Sequence, residues 1–412
     1  MPTEITACRI CRGKNLEPIL SLGQQYLTGV FPKSANERLT CGPLELVKCH
    51  GEEGCGLVQL RHSYESAEMY GANYGYRSSL NRSMVRHLGA KVEALRAKFP
   101  FGKGDLVLDI GSNDGTLLSF YPTDVTSVGM DPTAAKFRSF YKPHIQVITD
   151  FFSAETFFRR FQQKAKIITS IAMFYDLEEP IEFVRQIEQV LAEDGVWHFE
   201  QSYMPTMLEQ NAYDTVCHEH LEYYGLRQVD WMLSRSGLKI LDVELNDVNG
   251  GSFAVTAAKS ASKHAQNTAA ITALQEREEN ARLETLAPYK KFEERVHKHR
   301  DELLHLLDRV EKEKAMVLGY GASTKGNVIL QFCGLTAERI PAIAEVNPDK
   351  FGSVTPGSNI PIISESDAHA RKPDYFLVMP WHFRANLLER EAKFLARGGK
   401  MIFPLPAIEV VG

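Results

Sequence analysis

The sequence has no apolar run near the roughly 18 residues that a membrane-spanning helix needs, and no apolar segment at its start. It also has no excess of basic residues, because its formal net charge is −5 with 24% charged residues. A basic surface for nucleic acid is therefore not indicated. These absences predict a soluble, cytoplasmic protein that binds neither a membrane nor nucleic acid. We expect a monomer or weak homo-oligomer, although nothing in the composition specifies the oligomeric state. Its 412 residues, 44% of them hydrophobic, suffice for about two or three domains.

Cysteine is scarce, with seven residues in the chain, yet five of them lie in the first 55 positions. Two pairs, the second wider than the first, are spaced as zinc ligands often are: Cys8 and Cys11, then Cys49 and Cys55. In a chain without an export signal such pairs bind zinc more often than they form disulfides. We therefore predict a structural zinc site with these four thiolates. Cys41 and His50 are possible substitute ligands, and free cysteines are the alternative.

An apolar run from Leu106 to Leu118 breaks into a glycine-rich turn. It predicts a buried strand up to Ile110, a turn over 111–115 and a helix from Thr116. Such a turn leaves main-chain amides free to bind a phosphate or a carboxylate. Four residues of this stretch are predicted to bind the cofactor: Asp109, Gly111, Asn113 and Gly115.

Two features of this region favour S-adenosylmethionine (SAM) over a dinucleotide. The spacing is Asp-x-Gly-x-x-x-Gly, and the acidic residues would repel a pyrophosphate but suit the ammonium group of a methionine moiety. The next predicted strand, 125–130, ends at Asp131, where a carboxylate can hydrogen-bond both hydroxyls of a ribose. An ordinary strand-to-helix turn with a chance aspartate is the alternative.

Two further apolar strands are predicted at 167–174 and 195–199, with a helix over 181–191 between them. In an open doubly wound sheet the ligand lies beyond the carboxyl ends of the strands. Residues 174–176 and 200–203 are expected there. From these two strands we assign Ser170 and Gln201 to the cofactor site.

The segment from Tyr213 to Tyr224 is rich in reactive side chains, since its last eight residues hold two histidines, two glutamates, two tyrosines and a cysteine. His218 and His220 are two residues apart, unlike the i, i+4 pair of H-E-x-x-H, so acid/base chemistry is favoured over zinc binding. A histidine with a pKa near neutral, a carboxylate and phenols would supply a base and hold an oxyanion. A solvated polar loop is the alternative.

Residues 260–314 are charged and helical, with Pro288 as the main interruption. They predict a helical connector packed across the domains, with a coiled-coil partner surface as the alternative. A second strand and glycine turn follow at 315–327, where free amides and a lysine suit a pyrophosphate. The turn approximates an NAD fingerprint, but Thr324 stands where the third glycine belongs. Three residues are assigned to substrate binding: Ser323, Lys325 and Asn327.

Residues 64–99 indicate helix, but glycines and aromatics interrupt them at 70–79. The interrupted segment is either a linker that follows the cysteine-rich region or a lid over a pocket. Its composition alone favours the linker.

Taken together, these motifs resemble the SAM-dependent C-methyltransferases that act on nucleotide-linked 4-keto deoxysugars, such as the 3-C-methyltransferases of tetronitrose-type sugars. The resemblance covers nearly the whole chain. It rests on the cysteine pairs with residues 56–60, on the glycine turns at 109–115 and 319–327, on the His-Glu-His segment at 218–224, and on the late stretch 373–383.

The resemblance implies an α/β architecture. A class I SAM methyltransferase doubly wound sheet should be preceded by a small zinc-binding module and followed by a second Rossmann-like α/β domain that helps to hold the nucleotide sugar. We place the zinc-binding module at 1–65, the methyltransferase domain at 66–260, the helical connector at 261–314 and the C-terminal domain at 315–412. The segment 70–79 then becomes a lid that brings Tyr76 to the active site.

The resemblance also implies roles in the reaction. His220 matches the general base that removes a proton from the carbon beside the ketone, which is expected to be C3 of the sugar, with Glu219 orienting the base. Tyr76 or Tyr224 would donate to the developing enolate, and His218 is a further member of the site. This chain departs from many relatives at 174–176, where they have a histidine, and at Cys217, where they have a tyrosine.

Two other activities fit parts of the sequence. An O- or N-methyltransferase would keep SAM and need a base but no enolate stabiliser. An NAD-dependent oxidoreductase or epimerase would instead use the glycine turn at 319–327.

Overall fold

The computed structural model describes residues 2–51, 53–69 and 76–412. Its strands form four sheets with two, four, six and seven strands among these residues. The part of the predicted lid at 70–75 lies outside the described residues. Among the helices described, none is long and apolar enough to cross a membrane.

The N-terminal part is a small antiparallel module. Its elements are β1 (Thr3–Glu4), β2 (Leu16–Tyr26), β3 (Cys41–Cys49), β4 (Val58–Leu60), β5 (His62–Ser63) and α1 (Ser66–Met69). Strands β2, β3 and β4 pair in sequence, and β1 pairs with β5. The fourth strand of the larger sheet comes from far along the chain and is described below.

The central part begins with a long helix and contains the largest sheet. The elements are α2 (Arg82–Lys98), β6 (Leu106–Ile110), β7 (Thr126–Met130), β8 (Gln146–Ile148), α3 (Ala154–Phe158), β9 (Ala165–Ile171), α4 (Pro180–Val190), β10 (Leu191–Ser202), α5 (Met204–Glu209), β11 (Glu222–Tyr223), α6 (Leu226–Ser234), β12 (Leu238–Asn246) and β13 (Ser252–Lys259).

The seven-stranded sheet has the order β12-β13-β10-β9-β6-β7-β8. Strands β8, β7, β6, β9 and β10 are parallel, whereas β13 runs antiparallel to both of its neighbours. Because β6 lies in the middle with later strands on either side, the order reverses there and opens a crevice at the carboxyl ends. The predicted doubly wound α/β sheet is confirmed.

One predicted helix and one predicted strand of this part differ in the structure. The helix expected from Thr116 is only a 3₁₀ turn at Leu118–Phe120, because Pro122 follows closely and the residue before a proline disfavours helical backbone. The strand expected to reach Phe174 stops at Ile171, since Ala172 has a left-handed backbone with φ of 55°. Phe174 instead opens a 3₁₀ turn, Phe174–Asp176.

The connector consists of two helices, α7 (Thr268–Asn280) and α8 (Ala287–Lys312). The break between them lies at 281–286, where Arg282 has φ of 53°. Pro288 lies in the first turn of α8, where the N–H that proline lacks is not needed by the helix. The buried face of α8 packs against β2 and α5.

The C-terminal part is a second mostly parallel sheet. Its elements are β14 (Val317–Tyr320), α9 (Thr324–Phe332), β15 (Ile343–Glu345), β16 (Ile362–Ser364), α10 (Glu365–Ala370), β17 (Tyr375–Val378), α11 (Arg384–Arg390), α12 (Ala392–Leu395), β18 (Lys400–Phe403) and β19 (Glu409–Val411). The strand order is β16-β15-β14-β17-β18-β19, with β19 alone antiparallel. This is the predicted Rossmann-like unit.

The hydrophobic cores cross the boundaries between these parts. One core joins strands β2 to β4 with α8 and the C-terminal sheet, through residues such as Leu46, Phe292 and Leu318. Another joins Cys8 and Leu57 of the N-terminal module to the central sheet. The N-terminal module is therefore held on two sides by the rest of the protein.

Candidate active site

The four cysteines predicted as zinc ligands come together. Their Sγ atoms all lie within 4.8 Å of one another, with 3.5 Å between Cys8 and Cys55 and 3.4 Å between Cys11 and Cys49. None forms a disulfide. Four sulfurs at about 2.3 Å from one tetrahedral zinc ion would be about 3.8 Å apart, so the cluster fits the ion. Cys41 is exposed and lies outside this cluster.

The first cysteine pair lies on a tight knuckle. Arg12 N donates to Cys8 O at 3.0 Å, and Cys8 N donates to Gly13 O at 2.8 Å. Arg12 has a left-handed backbone, with φ of 63°, which lets the chain reverse directly after Cys11. The Gly13 amide points at Cys11 Sγ, 3.4 Å away, and would stabilise a thiolate there.

The glycine turn after β6 is tied to the strand that follows it. Asp131 Oδ2 accepts from the Asn113 amide at 2.8 Å, and Oδ1 accepts from both the amide and the hydroxyl of Thr133 at 2.6 Å. A carboxylate has about four acceptor positions, so one remains for a ribose hydroxyl. Asp131 therefore shapes the loop and also faces the cavity.

Close packing explains both glycines of the turn. A Cβ on Gly115 would lie 2.6 Å from the Tyr141 ring, and a Cβ on Gly111 would lie 3.0 Å from Met173. Both have positive φ, at 74° and 73°. The loop also holds the described end of the lid segment, because Asn113 Oδ1 accepts from the Ser78 amide at 3.0 Å and its Nδ2 donates to Tyr76 O at 3.2 Å.

A cavity opens at this edge of the sheet. Residues of the turn, of the strand ends and of the lid segment line it: Asp109, Gly111, Asn113, Asp131 and Tyr76. Asp109 is 3% exposed and accepts a hydrogen bond from Thr169 Oγ1 at 2.6 Å. Burial raises its pKa to about 7. A buried carboxylate of this kind gains from a cationic partner, which the ammonium group of SAM would provide.

The two remaining cofactor assignments lie deeper in the sheet. Ser170 is fully buried within β9, and its Oγ accepts from Trp197 Nε1 at 3.1 Å. Gln201 is 1% exposed near the end of β10, and neither atom of its amide has a hydrogen-bond partner among the described residues. Neither lies among the residues that line the cavity. Their roles in cofactor binding stay predictions.

The His-Glu-His segment is fixed between the N-terminal module and the loop after β9. Strand β11 is the missing fourth strand of the module's sheet and pairs with β4. Leu221 O accepts from Leu60 N at 2.9 Å, and Leu221 N donates to Tyr175 O at 2.8 Å. Arg9, between the cysteines of the knuckle, is buried 3.7 Å from Glu222. The cysteine cluster thus supports the strand that follows the histidines.

His220 is oriented by a main-chain group. Its Nδ1 lies 2.9 Å from Thr215 O, so Nδ1 carries the proton and Nε2 is left as an acceptor. Its ring packs edge-on against Tyr175, with 4.3 Å between ring centres. Burial and the nearby charge of Lys325 lower the pKa of His220 to about 3, below the near-neutral value expected from the sequence. The ring is therefore neutral and able to accept a proton, but it is a weaker base than a solvated histidine. Met173 and Asp176, on either side of Tyr175, line the cofactor cavity.

Glu219 does not hold His220 in the way the sequence suggested. Its Oε2 accepts from Thr28 Oγ1 at 3.3 Å, and a Cβ on Gly29 would collide with its other oxygen. The group that orients His220 is the Thr215 carbonyl instead. Burial raises the pKa of Glu219, so this carboxyl group is a candidate proton donor as well as an acceptor.

The other predicted members of this site are separated. His218 is buried in the N-terminal module, 3.5 Å from Thr28 Oγ1 and edge-on to Tyr64. Burial lowers its pKa to about 3. Tyr224 is 1% exposed and stacks on Phe174, and its hydroxyl has no partner within the described ranges. Tyr76 is 48% exposed and lines the cofactor cavity.

The three C-terminal assignments lie at the start of α9. Ser323 Oγ caps this helix by accepting from Gly326 N at 3.0 Å, and Asn327 Nδ2 donates to Thr28 O at 2.7 Å. Lys325 Nζ donates to Asn249 O at 2.6 Å, in the turn between β12 and β13. The contacts of Asn327 and Lys325 join the C-terminal unit to the N-terminal module and to the central part, near His220.

In the turn that resembled an NAD fingerprint, main-chain groups of Ala322 are already hydrogen-bonded to side chains of the protein. Glu345, at the end of β15, accepts from the Ala322 amide at 2.9 Å, and Lys350 Nζ donates to Ala322 O at 2.8 Å. A dinucleotide phosphate would need that amide.

Three contributors to the site were missed by sequence reasoning. The Thr215 carbonyl orients His220, Asp214 is a fully buried carboxylate, and Trp381 donates to Asp214 at 2.7 Å. Asp214 and Thr215 belong to the segment that was singled out, but a main-chain acceptor has no sequence signal. Trp381 lies in the late stretch that carried the resemblance, with no role assigned to it.

A doubly wound sheet with this glycine turn and strand-end aspartate, joined to a tetrahedral cysteine cluster, defines a SAM-dependent methyltransferase with a zinc-binding module. The described residues fit SAM in the cavity lined by Asp109 and Asp131, and zinc in the cluster of four cysteines. Comparison with known families agrees along the chain. Residues 8–70 match a zinc binding domain family, residues 81–243 a methyltransferase domain, and residues 247–406 a C-methyltransferase C-terminal domain.

The C-methyltransferase NovU of Streptomyces niveus is 30% identical to this chain over 412 residues, covering 99% of this chain and 97% of that protein. The chain therefore belongs to the C-methyltransferase family.

Solved structures resemble it more distantly. An O-methyltransferase family protein from Burkholderia thailandensis is 14% identical, with a TM-score of 0.37. The match covers 48% of this chain and 64% of that protein. A SAM-dependent methyltransferase from Clostridium acetobutylicum is 12% identical, with 42% and 92% coverage and a TM-score of 0.33.

Asp131→Ala should weaken SAM binding about 10- to 150-fold, the equivalent of roughly 1.5–3 kcal/mol for a lost hydrogen bond to a charged group. Titration calorimetry of the purified protein measures this. Asp105→Ala is a matched control, because Asp105 also accepts from a main-chain amide, Gly102 N at 2.9 Å, but lies outside the cavity lining. Unchanged SAM affinity in Asp131→Ala would remove the ribose assignment.

Proposed function

We propose that this C-methyltransferase acts on a nucleotide-linked 4-keto deoxysugar and methylates the carbon next to the ketone, C3, through an enolate. The main support is His220, whose Nδ1 is held by Thr215 O, so that Nε2 is free to accept a proton. A second support is its place one loop from the cofactor cavity.

The reaction needs little beyond a base and a donor. His220 Nε2 takes the proton from the carbon next to the ketone, and the electron pair of that C–H bond spreads onto the ketone oxygen. Tyr76, which lines the cavity, would donate a hydrogen bond to that oxygen. SAM held in the cavity would supply a sulfonium methyl group: the new C–C bond would form from the enolate electron pair as the S–CH₃ bond breaks, and the cofactor would leave as a neutral thioether. His220 then releases its proton to solvent.

The other three polar groups predicted for the active site are placed less favourably than His220 and Tyr76. Tyr224 packs inside the core against Phe174, so we assign enolate stabilisation to Tyr76 rather than to Tyr224. Glu219 and His218 both contact Thr28 of the N-terminal module. We assign them to holding the segment around His220 in place.

We assign the nucleotide sugar to the region where the N-terminal module, the methyltransferase domain and the C-terminal domain meet. Lys325 reaches across from α9 to Asn249, and its charge acts on both His220 and Asp214. The start of α9, with Ser323 and Asn327, would then lie along the sugar nucleotide. In this proposal residues 1–65, 66–260, 261–314 and 315–412 are the four functional units.

An O- or N-methyltransferase remains the second candidate, because it would use the same cofactor cavity and the same base. Incubating the enzyme with SAM and a panel of nucleotide 4-keto sugars, followed by mass spectrometry and NMR of the product, tests the proposal. A new C–CH₃ group beside the carbonyl is expected. A methyl group on oxygen or nitrogen would favour the second candidate.

Lys325→Ala should raise the KM for the nucleotide sugar by about 10- to 100-fold, as expected for a lost contact to a charged group, with less effect on SAM affinity. Steady-state kinetics with each substrate varied in turn measures the split. Lys239→Ala is the matched control, since Lys239 Nζ also donates to a main-chain carbonyl, Ser262 O at 2.6 Å, at a remote site. Loss of SAM binding, or no change at all, would contradict the substrate role.

A further inference from the structure

The late Pro-Trp-His-Phe stretch contributes a side chain that reaches the neighbourhood of His220. After β17 the chain forms a 3₁₀ turn, Trp381–Phe383, and Trp381 is 6% exposed. Its indole Nε1 donates to Asp214 Oδ2 at 2.7 Å. Asp214 is fully buried, and its other oxygen has no hydrogen-bond partner among the residues described. The nearby charge of Lys325 and the hydrogen bond from the indole both stabilise this carboxylate.

Asp214 adjoins the group that orients His220. Tyr213, Asp214 and Thr215 form one 3₁₀ turn, in which Val216 N donates to Tyr213 O at 3.0 Å. The carbonyl of Thr215 accepts from His220 Nδ1 at 2.9 Å. Helix α9 of the C-terminal unit packs against the same turn. The carbonyl that orients His220 therefore lies one residue from a carboxylate that the C-terminal unit contacts.

A second contact fixes Trp381 itself. Its ring lies over Gly250, where a Cβ would be 3.2 Å from the indole. Gly250 has φ of 88°, and the neighbouring Asn249 accepts from Lys325 Nζ at 2.6 Å. Trp381 is thus held between the β12–β13 turn and Asp214, with little freedom to move away from either.

We propose that Trp381 is a positioning residue for the base: through Asp214 and the Thr215 carbonyl, it sets the ring orientation and the tautomer of His220. The C-terminal unit then takes part in methyl transfer even though it lies outside the cofactor cavity. This inference rests on the proposed role of His220.

Trp381→Phe tests the inference, because it keeps an aromatic ring and removes only the indole N–H. We expect kcat to fall about 10-fold or more, as for a lost hydrogen bond to a charge, with the SAM dissociation constant unchanged. Trp231→Phe is the matched control, since Trp231 lies in α6, packs against Arg235 and is not among the residues that line the cofactor cavity. Circular dichroism and thermal melting check that each variant folds.

A spectroscopic readout separates positioning from a general loss of structure. With ¹⁵N-labelled histidine, and with His220→Ala used to assign the signal, the wild-type ring of His220 should show a protonated Nδ1 and a bare Nε2 at neutral pH. Trp381→Phe should shift this signal toward a mixture of tautomers. An unchanged His220 signal in Trp381→Phe would overturn the inference, whatever the effect on kcat.

A second variant covers the case in which Trp381→Phe does not fold because Asp214 is left uncompensated. The double variant Trp381→Phe/Asp214→Asn removes the charge of the Asp214 carboxylate. It should restore folding while the His220 signal stays altered. Asp214→Asn alone keeps an acceptor for the indole and should change the signal least. The histidine spectrum needs no substrate, so it can fail independently of the proposed function, which fails instead if His220→Ala methylates as fast as the wild type.

Discussion

His220→Ala should lower kcat by about 10²–10⁴-fold, the typical contribution of a general base, while SAM and sugar affinities change little. The reason is that the Nδ1 contact with Thr215 leaves Nε2 as the proton acceptor, so the substitution removes that acceptor together with one hydrogen bond to the main chain. Steady-state kinetics and calorimetry on the purified variant measure both quantities.

His218→Ala is the matched control for that experiment. His218 lies only two positions before His220 in the sequence, but it is buried beside Thr28 and Tyr64 in the N-terminal module. Removing it should cost some stability through the cavity left behind, with a smaller effect on kcat. If His218→Ala instead lost activity and His220→Ala kept it, the base would be His218.

Proton exchange gives a sharper test of the same residue. In deuterated buffer with S-adenosylhomocysteine in place of SAM, the wild-type enzyme should exchange the hydrogen beside the ketone of a suitable sugar nucleotide, and His220→Ala should not. Exchange depends on proton removal alone, so it isolates that step from methyl transfer. Absence of exchange in the wild type, together with a methylated oxygen in the product, would contradict the enolate.

Much of the fold was accessible from the sequence because local patterns specify it. The buried run before Gly111 and the strand ending at Asp131 were predicted within a residue, and the glycine turn takes the positive φ values that only glycine adopts freely. The four cysteines of the cluster were identified from their spacing. In each case the residues that carry the signal are close in sequence.

The arrangement around His220 was not accessible, since it depends on distant segments. An extended segment would place His218 and His220 on one face, but the turn between them sends the first into the N-terminal module and the second toward Tyr175. Glu219 was expected to orient the base, yet Thr28 and Gly29 hold it. Every residue has a main-chain carbonyl, so the sequence gives no signal for the role of the Thr215 carbonyl.

The largest structural effect should come from the cysteine cluster. Cys11→Ser should abolish bound zinc and destabilise the N-terminal module, because structural zinc supplies apparent binding free energies of about 10–16 kcal/mol in small zinc domains. Two main-chain hydrogen bonds and the four sulfurs close the knuckle, and Cys8, Cys49 and Cys55 are buried in the core that the module shares with the central sheet, so loss of the metal disturbs both. Elemental analysis of the purified proteins should find about one zinc per wild-type chain and none in the variant.

The loss should spread to catalysis, because the module carries part of the active site. Strand β4 pairs with β11 just after His220, and Arg9 from the knuckle reaches Glu222. We therefore expect Cys11→Ser to lose methyl transfer and to show faster hydrogen exchange in residues 2–51 and 218–224, with the C-terminal sheet less affected. Cys41→Ser is the matched control, since Cys41 is exposed and outside the cluster. A wild-type protein without zinc, or a Cys11→Ser variant as stable as Cys41→Ser, would remove the structural role of the metal.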